Sequence, residues 1–207
     1  MKKLLLLALV LTLPASALAQ QRTDCYGWEN GETILGSYNT EYLYVANSTE
    51  HAYEGTRSLE VRETGGTTTP QAWVAWLPEV ALGDVVTATI QTWDTTPTAS
   101  PSVRIWASWT QPGGAITSYA GSADGSPDYS GGADWVELSW TWTVGAVDAG
   151  KGLLIQIRPY GGGDFTESSW VDHLCVTHPV STRLEFPGVT FVGNENGSWG
   201  HVKGLYR

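Results

Sequence analysis

The chain holds two cysteines, one methionine and three phenylalanines in 207 residues, and its 11 lysines and arginines stand against 21 aspartates and glutamates. A formal charge of −10 disfavours nucleic acid and anionic membrane as partners, and it is also an ordinary surface charge for a secreted protein. Beyond the N-terminus no stretch is apolar enough for membrane insertion. Helical periodicity is missing from every long segment. Gly-x-Ser-x-Gly nucleophile motifs, phosphate loops and dinucleotide fingerprints are absent as well, so nothing points to a redox or nucleotide cofactor. The four histidines, His51, His173, His178 and His201, show no zinc-type spacing.

Residues 1–19 read as a secretory signal: Lys2 and Lys3, an apolar run from Leu4 to Leu13, then Ala17-Leu18-Ala19 as a cleavage site. A membrane anchor is the competing reading, but the run is shorter than the ~20 residues that span a bilayer. The expected location is therefore secreted, extracellular or periplasmic. The mature part is expected to form one domain over 20–179 with a C-terminal appendage or tail at 180–207. In an oxidising compartment Cys25 and Cys175 favour a disulfide over a pair of thiols. Cys25 follows Arg22-Thr23-Asp24, which is not the context of a lipid-modified cysteine.

What is abundant is tryptophan, with 11 residues. Period-two runs rich in Val, Ile, Thr and Trp recur between Gly, Pro, Asp and Ser clusters, which predicts an all-β chain. The expected strands lie near 23–29, 57–63, 71–77, 84–93, 101–109, 115–120, 135–144, 152–160 and 168–177. Short, evenly spaced strands argue for a sandwich of two antiparallel sheets, a jelly roll among them. Leu184-Glu185-Phe186-Pro187 and Val189 to Val192 read as one further strand pair.

Tyr26-Gly27-Trp28-Glu29-Asn30-Gly31 resembles the opening turn of jelly-roll carbohydrate-binding modules. His51-Ala52-Tyr53-Glu54-Gly55-Thr56-Arg57-Ser58-Leu59-Glu60-Val61 resembles their next strand entry, and Trp170-Val171-Asp172-His173-Leu174-Cys175-Val176 their closing strand. The resemblance covers about 25–177 in the right order. It implies a structural calcium held by Glu29 and Asp172 with backbone carbonyls, a chemistry suited to an ion that takes several hard oxygen ligands. His173 departs from the pattern, because an acidic or amide residue is frequent there. A plain turn glutamate and a solvated aspartate are the alternative. If Glu29 and Asp172 meet, Cys25 and Cys175 come close too.

The resemblance also implies the wiring: the second, ninth, fourth and seventh expected strands in one sheet, the third, eighth, fifth and sixth in the other. Apolar alternation then places Trp109, Trp140 and Trp142 in the core. One outward face, with Ser58, Glu60, Arg62, Thr87, Thr89, Gln91, Glu137, Ser139 and Thr141, reads as a solvated surface. The other presents Arg104, Trp106, Gln156, Arg158, Tyr160 and Tyr119, with Trp73 or Trp76 according to a register the sequence leaves open.

An indole plate stacks on a pyranose ring while guanidinium and amide groups bond its hydroxyls, so the expected partner of this second face is a polysaccharide. Burial under the 113–133 loop, under the appendage or against another chain is the competing account. Hydrolysis needs two carboxylates ~5–9.5 Å apart, and the expected strands place no Asp or Glu on that face. The sequence therefore favours a non-catalytic carbohydrate-binding module. A surface-assembly protein whose aromatic face docks another protein is the rival, and a glycosidase using Asp124, Asp128, Asp134 or Asp164 from loops comes third.

Overall fold

A computed structural model describes residues 20–95, 101–130, 132–161 and 165–192. The expected signal segment and the tail beyond Val192 lie outside these residues. Among the described residues thirteen strands form: β1 Gln21–Tyr26, β2 Gly36–Tyr38, β3 Leu43–Ser48, β4 Ser58–Glu63, β5 Gln71–Leu77, β6 Val85–Asp94, β7 Ser102–Thr110, β8 Tyr119–Gly125, β9 Val136–Thr143, β10 Gly152–Tyr160, β11 Ser169–Pro179, β12 Leu184–Phe186 and β13 Val189–Phe191. A single 3-10 turn, Thr40–Tyr42, is the one helical element among the described residues.

Two antiparallel sheets stack as a jelly-roll sandwich. The first runs β3-β4-β11-β6-β9, with β1 also paired to β11. The second runs β13-β12-β5-β10-β7-β8, with β2 also paired to β5. Their inner faces carry the alternating aliphatic residues: Val86, Ala88 and Ile90 on β6 meet Val103, Ile105 and Ala107 on β7 and Leu153, Ile155 and Ile157 on β10, all fully buried. Each valine, leucine and isoleucine of the set contributes about 1.5–3 kcal/mol by leaving water, and the period of two locks the register because a one-residue slip would turn the whole set outward.

The seven long strands expected from alternation form, and in the expected order within each sheet. Trp109 and Trp142 are buried, and Trp140 packs half-buried against the core. The strand expected at 115–120 begins instead at Tyr119, because residues 111–118 close as a turn through Gly114 N–H to the Gln111 carbonyl and Ser118 N–H to the Ala115 carbonyl. The first strand ends at Tyr26, ahead of Trp28 with φ 59°. The short strands β2 and β3 were not expected.

Residues 184–191 are part of the sandwich rather than an appendage to it. In Leu184-Glu185-Phe186 the two apolar positions drop into the core, where Phe186 stacks on Tyr26 with ring centroids 5.4 Å apart. The β12–β13 hairpin thereby extends the second sheet beyond β5.

Candidate functional site

The outward face of the second sheet is built from rows of residues set by strand pairing. On β10 the outward positions are Leu154, Gln156, Arg158 and Tyr160; opposite them on β7 stand Ser108, Trp106, Arg104 and Ser102. On the other side of β10, Leu154 faces Trp76 and Gln156 faces Trp73. In a regular strand, residues three apart point to opposite faces. Here the register shifts between Ile155 and Gln156, with one extra residue on β5, and this β-bulge brings Trp73 and Trp76 to the same side. Both expected alternatives therefore belong to the face.

Trp106 is the centre of the arrangement. The guanidinium carbon of Arg158 lies 3.9 Å, and that of Arg104 4.5 Å, from its ring centroid. Arg104 Nη1 donates to the Tyr129 hydroxyl at 3.0 Å, and Tyr129 meets Tyr160 edge to face at 5.0 Å. Burial lowers the Arg158 pKa; the Tyr160 phenol beside it works in the opposite sense, the Arg104 charge adds to the lowering, and Tyr119 opposes it. Tyr119, itself largely exposed, is thus within electrostatic reach of Arg158 from the edge strand.

Gln156 is buried at 2% exposure, and its amide donates to Ser108 Oγ at 2.8 Å. Trp76 Nε1 donates to Thr110 Oγ1 at 3.3 Å. Trp73 lies against β2, where a side-chain carbon at Gly36 would come within 2.6 Å of the indole; glycine at that position lets the ring lie close to the backbone.

Tyr129 was not expected. It stands in a Gly/Ser/Asp-rich loop, and its position is fixed by Ser130, whose N–H donates to the Val103 carbonyl at 2.8 Å and whose hydroxyl accepts from Val103 N–H at 2.7 Å. A lone aromatic in such a loop was the available signal. Glu185 was also missed: it pairs with Trp76 from β12 and so reaches the same face, where Arg183 Nη2 binds it at 2.7 Å. The face accordingly carries one carboxylate among the described residues, not none.

The opposite outward face is not the plain solvated surface expected. At one end His51 stacks on Trp93 at 3.7 Å and meets Trp170 edge to face at 4.5 Å. The strand register sets Trp170 between Glu60 and Trp93, and the 49–57 segment covers it, leaving it 3% exposed.

No known protein-family model matches the chain, and no curated protein matches it in sequence. Solved structures do. The CBM22-1 xylan-binding domain of Paenibacillus barcinonensis Xyn10C matches with TM-score 0.50 and 17% identity, covering 75% of this chain and 92% of that one. The CBM22-2 xylan-binding domain of the same protein matches with TM-score 0.51 and 15% identity, covering 75% and 98%. The chain has the fold of jelly-roll carbohydrate-binding modules.

Within that jelly roll, the two ends of the chain are tied as expected. Cys25 and Cys175 lie opposite each other on β1 and β11 with Cα atoms 4.0 Å apart, and they form a disulfide. His173 lies close to both sulfurs, but the disulfide leaves no thiolate to bind a metal there.

Glu29 and Asp172 also converge, on the turn 53–57. Asp172 Oδ2 accepts the N–H groups of Tyr53 and Glu54 at 2.9 and 3.1 Å, and its Oδ1 accepts that of His173 at 2.7 Å. Glu29 Oε1 accepts Thr56 and Arg57 N–H, each at 2.8 Å, and Oε2 the Thr56 hydroxyl at 2.9 Å. Gly55 makes room: a side-chain carbon there would sit 2.5 Å from Glu29 Oε1, and its φ of +72° suits glycine.

Burial pushes the Asp172 carboxyl up, the three N–H groups offset part of the rise, and the Glu29 charge adds to it. For Glu29 burial acts in the same direction but is outweighed by the Thr56 and Arg57 donors and the Arg57 charge, so its pKa falls. Calcium requires oxygen donors, whereas these carboxylates are held by N–H and O–H hydrogens. The residues as arranged do not fit the expected ion.

Proposed function

We propose that this chain is a secreted, non-catalytic module that binds a polysaccharide across the outward face of β5, β10 and β7. The observation that carries the reading is where the unpartnered polar atoms fall. Of eight buried side-chain nitrogens and oxygens without a hydrogen-bond partner among the described residues, five are on this face: Trp73 Nε1, Arg104 Nε, Trp106 Nε1, Gln156 Oε1 and Arg158 Nε. A buried polar atom left unpaired costs about 1–3 kcal/mol, so five of them beneath one surface mark where the protein leaves its own polar groups incomplete, which supports a polar partner at that face.

Trp73 and Trp76 add apolar area beside these donors, the combination that takes up the two faces of a pyranose ring. The xylan-binding domains that share the fold support a β-linked glycan as the class of ligand. Non-catalytic status is supported by the carboxylates: among the strand residues described, Glu185 has no second carboxylate on the face, Asp124 lines a shallow cleft with Trp140 and Asp148 at the β8–β9 edge, Asp148 is paired to Lys151 at 2.9 Å, and Asp128 stands in the loop beside Tyr129 with its N–H donated to Ser126 Oγ at 3.0 Å. Asp134 bonds its neighbour's N–H, and Asp164 lies outside the described residues.

Affinity electrophoresis against soluble xylans, glucans and mannans tests the proposal. Retardation that is lost in Trp76→Ala and retained in Trp140→Ala is the expected result. No retardation on any polymer, with self-association in solution, would favour the surface-assembly reading; reducing-sugar release abolished at one loop aspartate would favour a glycosidase.

A further inference from the structure

A neutral sugar offers the two arginines of the face hydroxyl acceptors but leaves both of their charges without a counter-charge. Arg104 and Arg158 occupy directly opposed positions on β7 and β10, and like charges so placed destabilise a sheet. Both lean on one indole, at 4.5 and 3.9 Å, instead of turning apart into solvent. Among the described residues neither has a carboxylate partner, although other cations there are paired with acidic residues, as in Arg22–Asp24, Lys151–Asp148 and Arg183–Glu185.

Glu185 is already committed to Arg183 and stands in the Leu154 row, four residues or about 13 Å along β10 from the Arg158 row. The hydroxyls around the arginines belong to Tyr119, Tyr129 and Tyr160, neutral groups that cannot balance two positive charges. Each guanidinium also keeps its Nε without a hydrogen-bond partner.

We propose that the face recognises an acidic polysaccharide, one whose uronic acid residues place a carboxylate between Arg104 and Arg158 while Trp73 and Trp76 take the neighbouring sugar rings. The proposal rests on the glycan-binding reading above and names its ligand class. A planar carboxylate accepts two parallel N–H bonds from a guanidinium fork, a match that an ammonium or an amide does not give. The net charge of −10 repels a polyanion from the rest of the molecule, so such a ligand is held only where Arg104 and Arg158 stand together.

The test is isothermal titration of the whole protein with polygalacturonate, alginate and glucuronoxylan, each beside its carboxyl-reduced form, with dextran sulfate as a second polyanion. At least one uronate polymer is expected to bind about ten-fold or more tighter than its reduced form, the worth of one charge-assisted pair. Arg158→Gln and Arg104→Gln are each expected to lower the uronate affinity to that of the reduced polymer, and Arg158→Lys to recover only part. Melting curves establish that the variants fold, and either arginine variant alone suffices for the comparison.

Equal affinity for native and reduced polymers overturns this inference and leaves glycan binding standing. Dextran sulfate bound as tightly as the uronates overturns the carboxylate assignment. Binding to no polymer, neutral or acidic, overturns the underlying reading as well.

Discussion

Arg158 rests its guanidinium 3.9 Å above the Trp106 ring, on an indole that Arg104 shares at 4.5 Å. Trp106 is therefore first a platform for two cations and only second a plate for sugar, which changes what its removal does. A cation–π contact contributes about 0.5–2 kcal/mol. Trp106→Ala frees both arginines and is expected to weaken polysaccharide binding about 2- to 30-fold by titration, with the outward position keeping the melting temperature near that of the wild type. Affinity that is unchanged would show that the stacking does not position the arginines.

Trp73 and Trp76, unlike Trp106, carry no guanidinium over their rings among the described residues. Replacing either with alanine removes a stacking contribution of about 0.5–1.5 kcal/mol and is expected to cost about 2- to 12-fold in affinity. Trp140 lines the separate cleft at the β8–β9 edge, so Trp140→Ala is expected to leave polymer binding intact. A larger loss in Trp140→Ala than in Trp76→Ala, measured on the same polymer, would move the site to that edge.

The seven long strands and most of this face were legible because alternation over six or more residues leaves one register that buries the aliphatic side, while the order of the strands in each sheet came from the resemblance to jelly-roll modules and not from alternation. What alternation cannot report is an interruption of itself. The bulge opposite Ile155 and Gln156 puts Trp73 and Trp76 on one side, and a strict period of two forces a choice between them. The same holds on β11, where the register shifts between Asp172 and Cys175 and His173 takes φ 49°. β2 and β3 were missed for a different reason: one is three residues long and the other an edge strand with no fully buried position. Tyr129 and Glu185 reach the face through long-range pairing that local sequence does not encode, of the neighbouring Ser130 with Val103 and of Glu185 with Trp76.

The disulfide joins residues 150 positions apart, so reduction releases a loop that spans nearly the whole domain. Loss of such a link typically costs about 2–5 kcal/mol. Cys25→Ser/Cys175→Ser is expected to melt well below the wild type by calorimetry while retaining the same far-UV circular dichroism, since β1 keeps its backbone pairing with β11. Indistinguishable melting temperatures would show that pairing alone holds the N-terminal strand.

Glu29 gives a pH dependence with a definite sign. Its folded pKa is depressed below 4.5, so the stability it contributes is complete above that value and disappears as pH falls through the lower folded one. Glu29→Gln keeps the shape and loses the charge. The variant is expected to be less stable than the wild type at neutral pH, with the gap in denaturant midpoint narrowing as pH falls below 4.5 and closing below the folded pKa. Asp172, whose pKa is raised, acts in the opposite sense, its charged form weighing against the fold as pH rises through its folded value. A gap that widened in acid would contradict the assignment of Thr56 and Arg57 as the donors that hold Glu29.

Asp172 is where the calcium expectation can be tested. Its carboxylate is fully buried and accepts three backbone N–H groups, from Tyr53, Glu54 and His173. A cation bound to the same oxygens would face those hydrogens, and the turn would have to rotate its peptide groups to offer carbonyls instead. The N–H groups already supply the positive potential that a cation supplies elsewhere. Chelator is therefore expected to leave the melting temperature unchanged, and added calcium to raise it no more than added magnesium does. Asp172→Asn supplies a discriminating arm: it sets an amide hydrogen against one of the N–H donors and is expected to cost about 1–3 kcal/mol with or without chelator. If the cost of Asp172→Asn vanished in chelator, or if calcium alone raised the wild-type midpoint, the carboxylates would be metal ligands and the N–H clasp would be wrong.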